Sequence, residues 1–124
     1  MENDPQIGNL NSERRRYPRF YLDLPVTYYE TDSSVRHNAR AINASEGGFM
    51  IYFRENIEVG QHLRTNLSFL ADSKLNSIHM KTKVIWKEIV WDTGWGDYRC
   101  GVKLIDISQE DMSKLKKFLI NFSQ

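Results

Sequence analysis

Four arginines crowd into six positions, at Arg14, Arg15, Arg16 and Arg19, beside Tyr17 and Pro18. A guanidinium is planar and permanently charged. Its fork of donors can grip phosphate or the O6/N7 edge of guanine, and its face can lie on a flat ring. Pro18 fixes its own φ and keeps Tyr17 out of the helical region, so the run is expected to be extended. Side chains alternate along an extended chain, which puts Arg15, Tyr17 and Arg19 on one side and Arg14 and Arg16 on the other. A solvated patch beside a polar tail is the plainer reading of the same residues. A second stretch, Asn43-Ala44-Ser45-Glu46-Gly47-Gly48, reads as a turn. Asn and Ser side chains mimic backbone turns, and glycine permits positive φ or the close approach of another group.

The remaining chemistry-bearing residues are sparse. Ser45 has no companion histidine at a recognisable spacing, and no paired carboxylates or phosphate-cradling glycine loop stands out, so an enzyme is not expected. Cys100 is the sole cysteine, which excludes an intrachain disulfide and a cysteine-based metal cluster. His37, His62 and His79 are scattered without ligand spacing, and no metal site is expected. The net charge of +1 disfavours a general nucleic-acid binder, whereas a local cationic cluster suits a small anionic ligand. No apolar stretch approaches the length of a spanning helix, so no membrane insertion and a cytoplasmic location are expected.

These residues need a scaffold, and the 124-residue chain suffices for one domain with a real core. Residues 1–12 read as a flexible N-terminal tail and 13–124 as the domain. From Phe20, apolar Phe20, Leu22, Leu24, Val26 and Tyr28 alternate with other residues, the period of a half-buried strand, with Pro25 arguing for an edge or a bulge. Shorter strands follow at 36–43, 49–53 and 62–70. The segment 77–91 is the longest candidate, with Ile78, Met80, Thr82, Val84 and Trp86 facing one way, which makes Trp86 a core residue. Trp91 to Gly96 forms a glycine-rich hairpin tip, and Tyr98, Cys100, Val102 and Leu104 pattern the returning strand. Asp97 and Arg99 are expected to pair across the surface, and Cys100 to be buried and inert. The fold class expected is all-β, a small six-stranded antiparallel barrel with a C-terminal α-helix, because closure protects edges that a chain this size cannot otherwise cover. The helix, 109–122, starts at a capping Ser108 with Asp111 at its third position, and carries Met112, Leu115, Phe118, Leu119 and Phe122 at helical spacing.

Taken together, Arg15-Arg16-Tyr17-Pro18-Arg19 and Asn43-Ala44-Ser45-Glu46-Gly47-Gly48 resemble the two halves of the PilZ domain signature, Arg-x-x-x-Arg and Asp/Asn-x-Ser-x-x-Gly. Tyr98-Arg99-Cys100-Gly101-Val102 looks like that family's glycine-valine strand. The resemblance covers roughly residues 13–122. It implies a six-stranded barrel that binds cyclic di-GMP, with Arg15 and Arg19 on guanine edges and phosphate, Asn43 and Ser45 hydrogen-bonding from the barrel surface, and Gly48 leaving room for the ligand. Arg14, Arg16, Gly47 and Gly101 are secondary candidates. Asn43, in place of the commoner Asp, removes a negative charge near an anionic ligand.

The function expected is therefore a cyclic di-GMP receptor whose segment 10–19 orders on binding and presents a changed surface to a downstream protein partner. Motility, attachment and polysaccharide export are the processes such receptors govern, and the sequence does not choose among them. The other reading is a nucleotide-independent protein-interaction module with the same barrel. Dimerisation is open at this point.

Overall fold

The computed structural model describes residues 20–90 and 97–122. The tail 1–12, the arginine run at 14–19 and the tip 91–96 lie outside the described residues, so expectations about them have no structural counterpart here.

Six strands run β1 (Phe20–Glu30), β2 (His37–Ser45), β3 (Gly48–Phe53), β4 (His62–Ala71), β5 (Lys74–Ile89) and β6 (Tyr98–Ile107), followed by helix α1 (Gln109–Phe122). All neighbours are antiparallel, and the order β1-β2-β3-β6-β5-β4 closes when β4 pairs back onto β1. Each strand's period-two alternation turns one face inward, as at Phe49, Ile51 and Phe53, or at Leu63, Thr65, Leu67 and Phe69. Full burial of such side chains contributes roughly 1.5–3 kcal/mol each before chain entropy is counted. Tyr28 is the largest of them, stacked on His37 and edge-on to Phe53 with both centroid separations at 5.0 Å. Its hydroxyl has no hydrogen-bond partner among the described residues, and burial raises its pKa far above the usual phenol value. The paired hydroxyls of Thr65 and Thr82, 3.0 Å apart, satisfy each other inside the same core.

Several boundaries differ from the sequence reading. β2 continues through Ser45, so Asn43 and Ser45 stand on a strand end and the turn proper is only Glu46 and Gly47. The β4–β5 connection is likewise only Asp72 and Ser73, both at positive φ (54° and 64°), the geometry that matches a two-residue hairpin to strand twist. Pro25 does not mark an edge, because β1 has partners on both sides; a register shift lies just before it, between Tyr21 and Leu24.

The helix closes the barrel through Leu115 and Leu119, buried at 0% and 3% exposure, with Met112 and Phe118 packed beside the core. Ser108 caps it by accepting the Asp111 backbone N–H at 3.0 Å. The reciprocal half of a capping box is replaced: the Asp111 carboxylate accepts the backbone N–H of His79 on β5 at 2.9 Å, tying the first turn to the barrel wall.

Candidate functional site

Two adjacent rows of outward-facing residues cross the barrel wall to β5, one from β1 and one from β2. Strand register places Tyr21, Asn43, Met50, Gly101 and Trp86 side by side in the first row, and Ser45, Gly48, Lys103 and Lys83 in the second. With strands about 4.8 Å apart, the row from Asn43 to Trp86 spans roughly 14 Å of surface. A pocket of about 120 Å³ lies over both rows, bordered by Asn43, Ser45, Gly47, Gly48, Trp86, Gly101 and Lys103. The sequence candidates Asn43, Ser45, Gly47, Gly48 and Gly101 are thus brought together on one face. Arg14, Arg15, Arg16 and Arg19 lie outside the described residues; β1 begins at Phe20, whose partner is Ala44, between Asn43 and Ser45.

Bulges aim these side chains. Ala41 pairs with Ile51 but Asn43 pairs with Met50, so Ile42 is an extra residue in β2 and the alternation resets after it. Asn43 therefore shares the outer face with Met50, while Ala44 turns inward against Phe49. The same device recurs in β5, where Val84 pairs with Val102 and Trp86 with Gly101, leaving Ile85 as the extra residue. This corrects the expected place of Trp86. Strict alternation from Ile78 puts it in the core; the bulge puts it on the outer face, half-buried, over Gly101. Ile85 takes the solvent position at 50% exposure.

Each polar or glycine position has a local reason. The Ser45 hydroxyl accepts the Gly47 N–H at 3.1 Å and donates to the Gly48 carbonyl at 3.4 Å, closing the Glu46-Gly47 turn. A Cβ at Gly48 would lie 2.2 Å from the Val102 carbonyl oxygen, so the missing side chain lets β3 and β6 approach. A Cβ at Gly101 would lie 2.1 Å from Trp86 Nε1, so that glycine seats the indole. Asn43 is buried at 4% exposure and adds no charge. Lys103 supplies a cation at the pocket wall, while Glu46 is drawn toward Lys116 of α1 at 3.9 Å. On the neighbouring surface, Arg99 pairs with Glu88 across the β5–β6 ladder, with Nε 2.6 Å from the carboxylate, and not with Asp97 as expected. That hydrogen bond raises the Arg99 pKa above its ordinary value.

Sequence reasoning missed Trp86, Met50 and Lys103 as pocket residues. A glycine in the interior of a strand, at Gly101, is the signal that something large crosses there. The arrangement offers a flat indole, a buried amide, a part-buried hydroxyl and a lysine on the barrel wall, which suits recognition of a planar, anionic molecule. No described group has the partner of an activated nucleophile: Cys100 is buried and its thiol is pushed up to about 11 by desolvation. No cluster of metal-ligating side chains occurs among the described residues.

The profile of the PilZ domain matches residues 13–121. Among solved structures, the Bacillus subtilis inhibitor of motility MotI/DgrA aligns with a TM-score of 0.72 at 17% identity, covering 87% of this chain and 50% of that one. The PilZ domain of Escherichia coli YcgR with c-di-GMP aligns at 0.66 and 14% identity, covering 89% and 92%. The Klebsiella pneumoniae MrkH–c-di-GMP complex aligns at 0.68 and 19%, covering 87% and 51%. The chain thus spans about half the length of MotI and MrkH. No curated protein sequence matches it.

Proposed function

This chain belongs to the PilZ domain family, and on that premise we propose that it is a non-enzymatic receptor for cyclic di-GMP that signals to a protein partner. The observation that carries the proposal is the convergence of Asn43, Ser45 and Gly48 with Trp86 and Lys103 on one outward pocket, at the strand end beside the start of β1. Two of the similar structures, those of YcgR and MrkH, contain c-di-GMP. Arg15 and Arg19 would supply guanine and phosphate contacts from the preceding segment, with Arg14 and Arg16 adding charge. Trp86 offers a purine a stacking surface, and Lys103 offers a phosphate a point charge. Asn43 and Ser45 hold the barrel side, and Gly47 and Gly101 keep it low.

Binding would order segment 10–19 over this wall and change the surface a partner reads, a population shift driven by contacts only the closed arrangement makes. Control of motility or attachment from the cytoplasm is consistent with this role. Among the described residues no helix is long and apolar enough to cross a membrane.

Calorimetry tests the receptor role. The wild-type chain is expected to bind cyclic di-GMP at micromolar or tighter Kd, with loss of at least about tenfold in Arg15→Ala and Arg19→Ala, the cost of removing a charged hydrogen-bond donor. Heats unaltered by either substitution would refute the site. Absence of binding, together with no protection of the N-terminal segment from protease at saturating nucleotide, would favour the nucleotide-independent module.

A further inference from the structure

We propose that the groove between the β4–β5 hairpin tip and α1 is the docking site for an acidic, amphipathic segment of a partner protein. The groove has a volume of about 520 Å³ and is lined by Phe69, Leu70, Asp72, Lys74, Lys117 and Phe118 among others. Its floor is aromatic, with the Phe69 and Phe118 rings 4.5 Å apart. At the groove's edge Leu70, which lines it, pairs with Leu75 across the hairpin; both are 73% exposed, the most exposed leucines among the described residues. Nothing in the barrel requires apolar side chains there, since both point away from the core.

The hairpin fixes the backbone that carries them. Its two-residue turn at Asp72 and Ser73 has the positive-φ pair that matches strand twist, so that backbone is already in place when a partner covers the leucines.

The rim decides the occupant. Three lysines, Lys74, Lys114 and Lys117, surround the groove against one carboxylate, Asp72. Lys114 is engaged with Asp111 and Glu110 of its own helix, whereas Lys74 and Lys117 form no ion pair among the described residues. A segment with apolar side chains on one face and carboxylates beside them satisfies both features. A second copy of the chain fits poorly, because a two-fold interface would set these lysines against themselves. A bilayer fits poorly too, since the aromatic floor is recessed between hairpin and helix.

Helix α1 touches both the groove and the nucleotide-site turn. Lys116 reaches Glu46 of that turn, and the next two residues of α1, Lys117 and Phe118, line the groove. The inference rests on the receptor reading for the partner's place downstream of the nucleotide.

The probe is a fluorescent peptide of about fourteen residues with leucine at i, i+3, i+4 and i+7 and acidic residues elsewhere, titrated with the full chain by anisotropy. It is expected to bind, and a version with lysines replacing the acids to bind on the order of tenfold more weakly. Leu70→Ser and Lys117→Glu should each weaken binding of the acidic peptide by a similar factor, with circular dichroism unchanged because both side chains are outside the core. No binding, equal binding of both peptides, or full binding by both variants overturns the proposal. So does dimerisation in sedimentation that Leu70→Ser abolishes, or flotation with phosphatidylglycerol vesicles that the same substitution abolishes. Calorimetry with cyclic di-GMP on the same proteins separates the two readings: intact nucleotide binding without peptide binding refutes only the groove, and the reverse refutes only the receptor.

Discussion

The indole of Trp86 occupies the space where a side chain at Gly101 would begin, with Nε1 2.1 Å from the position of a Cβ built there. Replacing Gly101 with alanine therefore forces the ring off the barrel wall. We expect Gly101→Ala to lose about 1–3 kcal/mol of stability, as overpacked sites do, to shift tryptophan emission and to weaken nucleotide binding. An unchanged urea midpoint and spectrum would show that the indole does not rest there.

Gly48 is the harsher case, because the atom a Cβ would meet is backbone, the Val102 carbonyl oxygen at 2.2 Å. A ring can swing aside; a paired strand must separate. Gly48→Ala is expected to be destabilised more than Gly101→Ala, at or beyond the upper end of about 1–3 kcal/mol. Urea midpoints of the two variants in the reverse order would contradict the assigned role of Gly48 in strand approach.

The buried hydroxyls of Thr65 and Thr82 satisfy each other at 3.0 Å. Thr82→Val leaves the Thr65 hydroxyl without its partner and should cost about 1–3 kcal/mol, while Thr65→Val combined with Thr82→Val should recover most of the loss, since both partners are then apolar. A double variant as unstable as the sum of the singles would rule this out.

Cys100 gives a pH dependence with a definite sign. Burial holds its thiol protonated up to about 11 in the folded chain against 9.0 for the ordinary value. Between those values the unfolded state has released its proton and the folded state has not, so stability is fully present below pH 9 and falls as pH rises toward 11. The difference bounds the effect at roughly 3 kcal/mol. Cys100→Ala should flatten the decline measured by urea denaturation, leaving the part due to the buried Tyr28 hydroxyl, whose pKa is also raised by burial. An identical slope in the variant would assign the decline elsewhere.

Ser73 adopts φ 64° in the β4–β5 turn. A residue with a Cβ pays about 1–2 kcal/mol in this region, and glycine does not, although glycine loses more entropy on folding. Ser73→Gly is expected to raise stability by up to about 1 kcal/mol in thermal or urea melts. Destabilisation would mean that the serine contributes an interaction that outweighs the strain.

Much of the architecture was legible because it rests on short-range periodicity. Alternation at Phe49, Ile51 and Phe53 and at Leu63, Thr65 and Leu67 marks strands wherever they pair, and the spacing of Met112, Leu115 and Leu119 marks a helix whatever covers it. The stretch Asn43 to Gly48 was recognisable because its residue types suit a turn. Its outline was less so: a strand end and a turn use the same small polar residues, and only pairing of Asn43 with Met50 and Ser45 with Gly48 extends β2 that far. Arg99 choosing Glu88 over the nearer-in-sequence Asp97 is of the same kind, since Glu88 lies directly opposite it on β5.

By itself the sequence determined the strands, the terminal helix, the two signature stretches and the absence of a recognisable catalytic motif. The tertiary structure alone decided which residues share the wall with Asn43 and Ser45. Inserted residues at Ile42 and Ile85 each shift the alternation by one, turning Asn43 and Trp86 to the same outer face. A bulge exists only relative to a partner strand, and its partner is distant in sequence, so a period counted along one strand cannot reveal it.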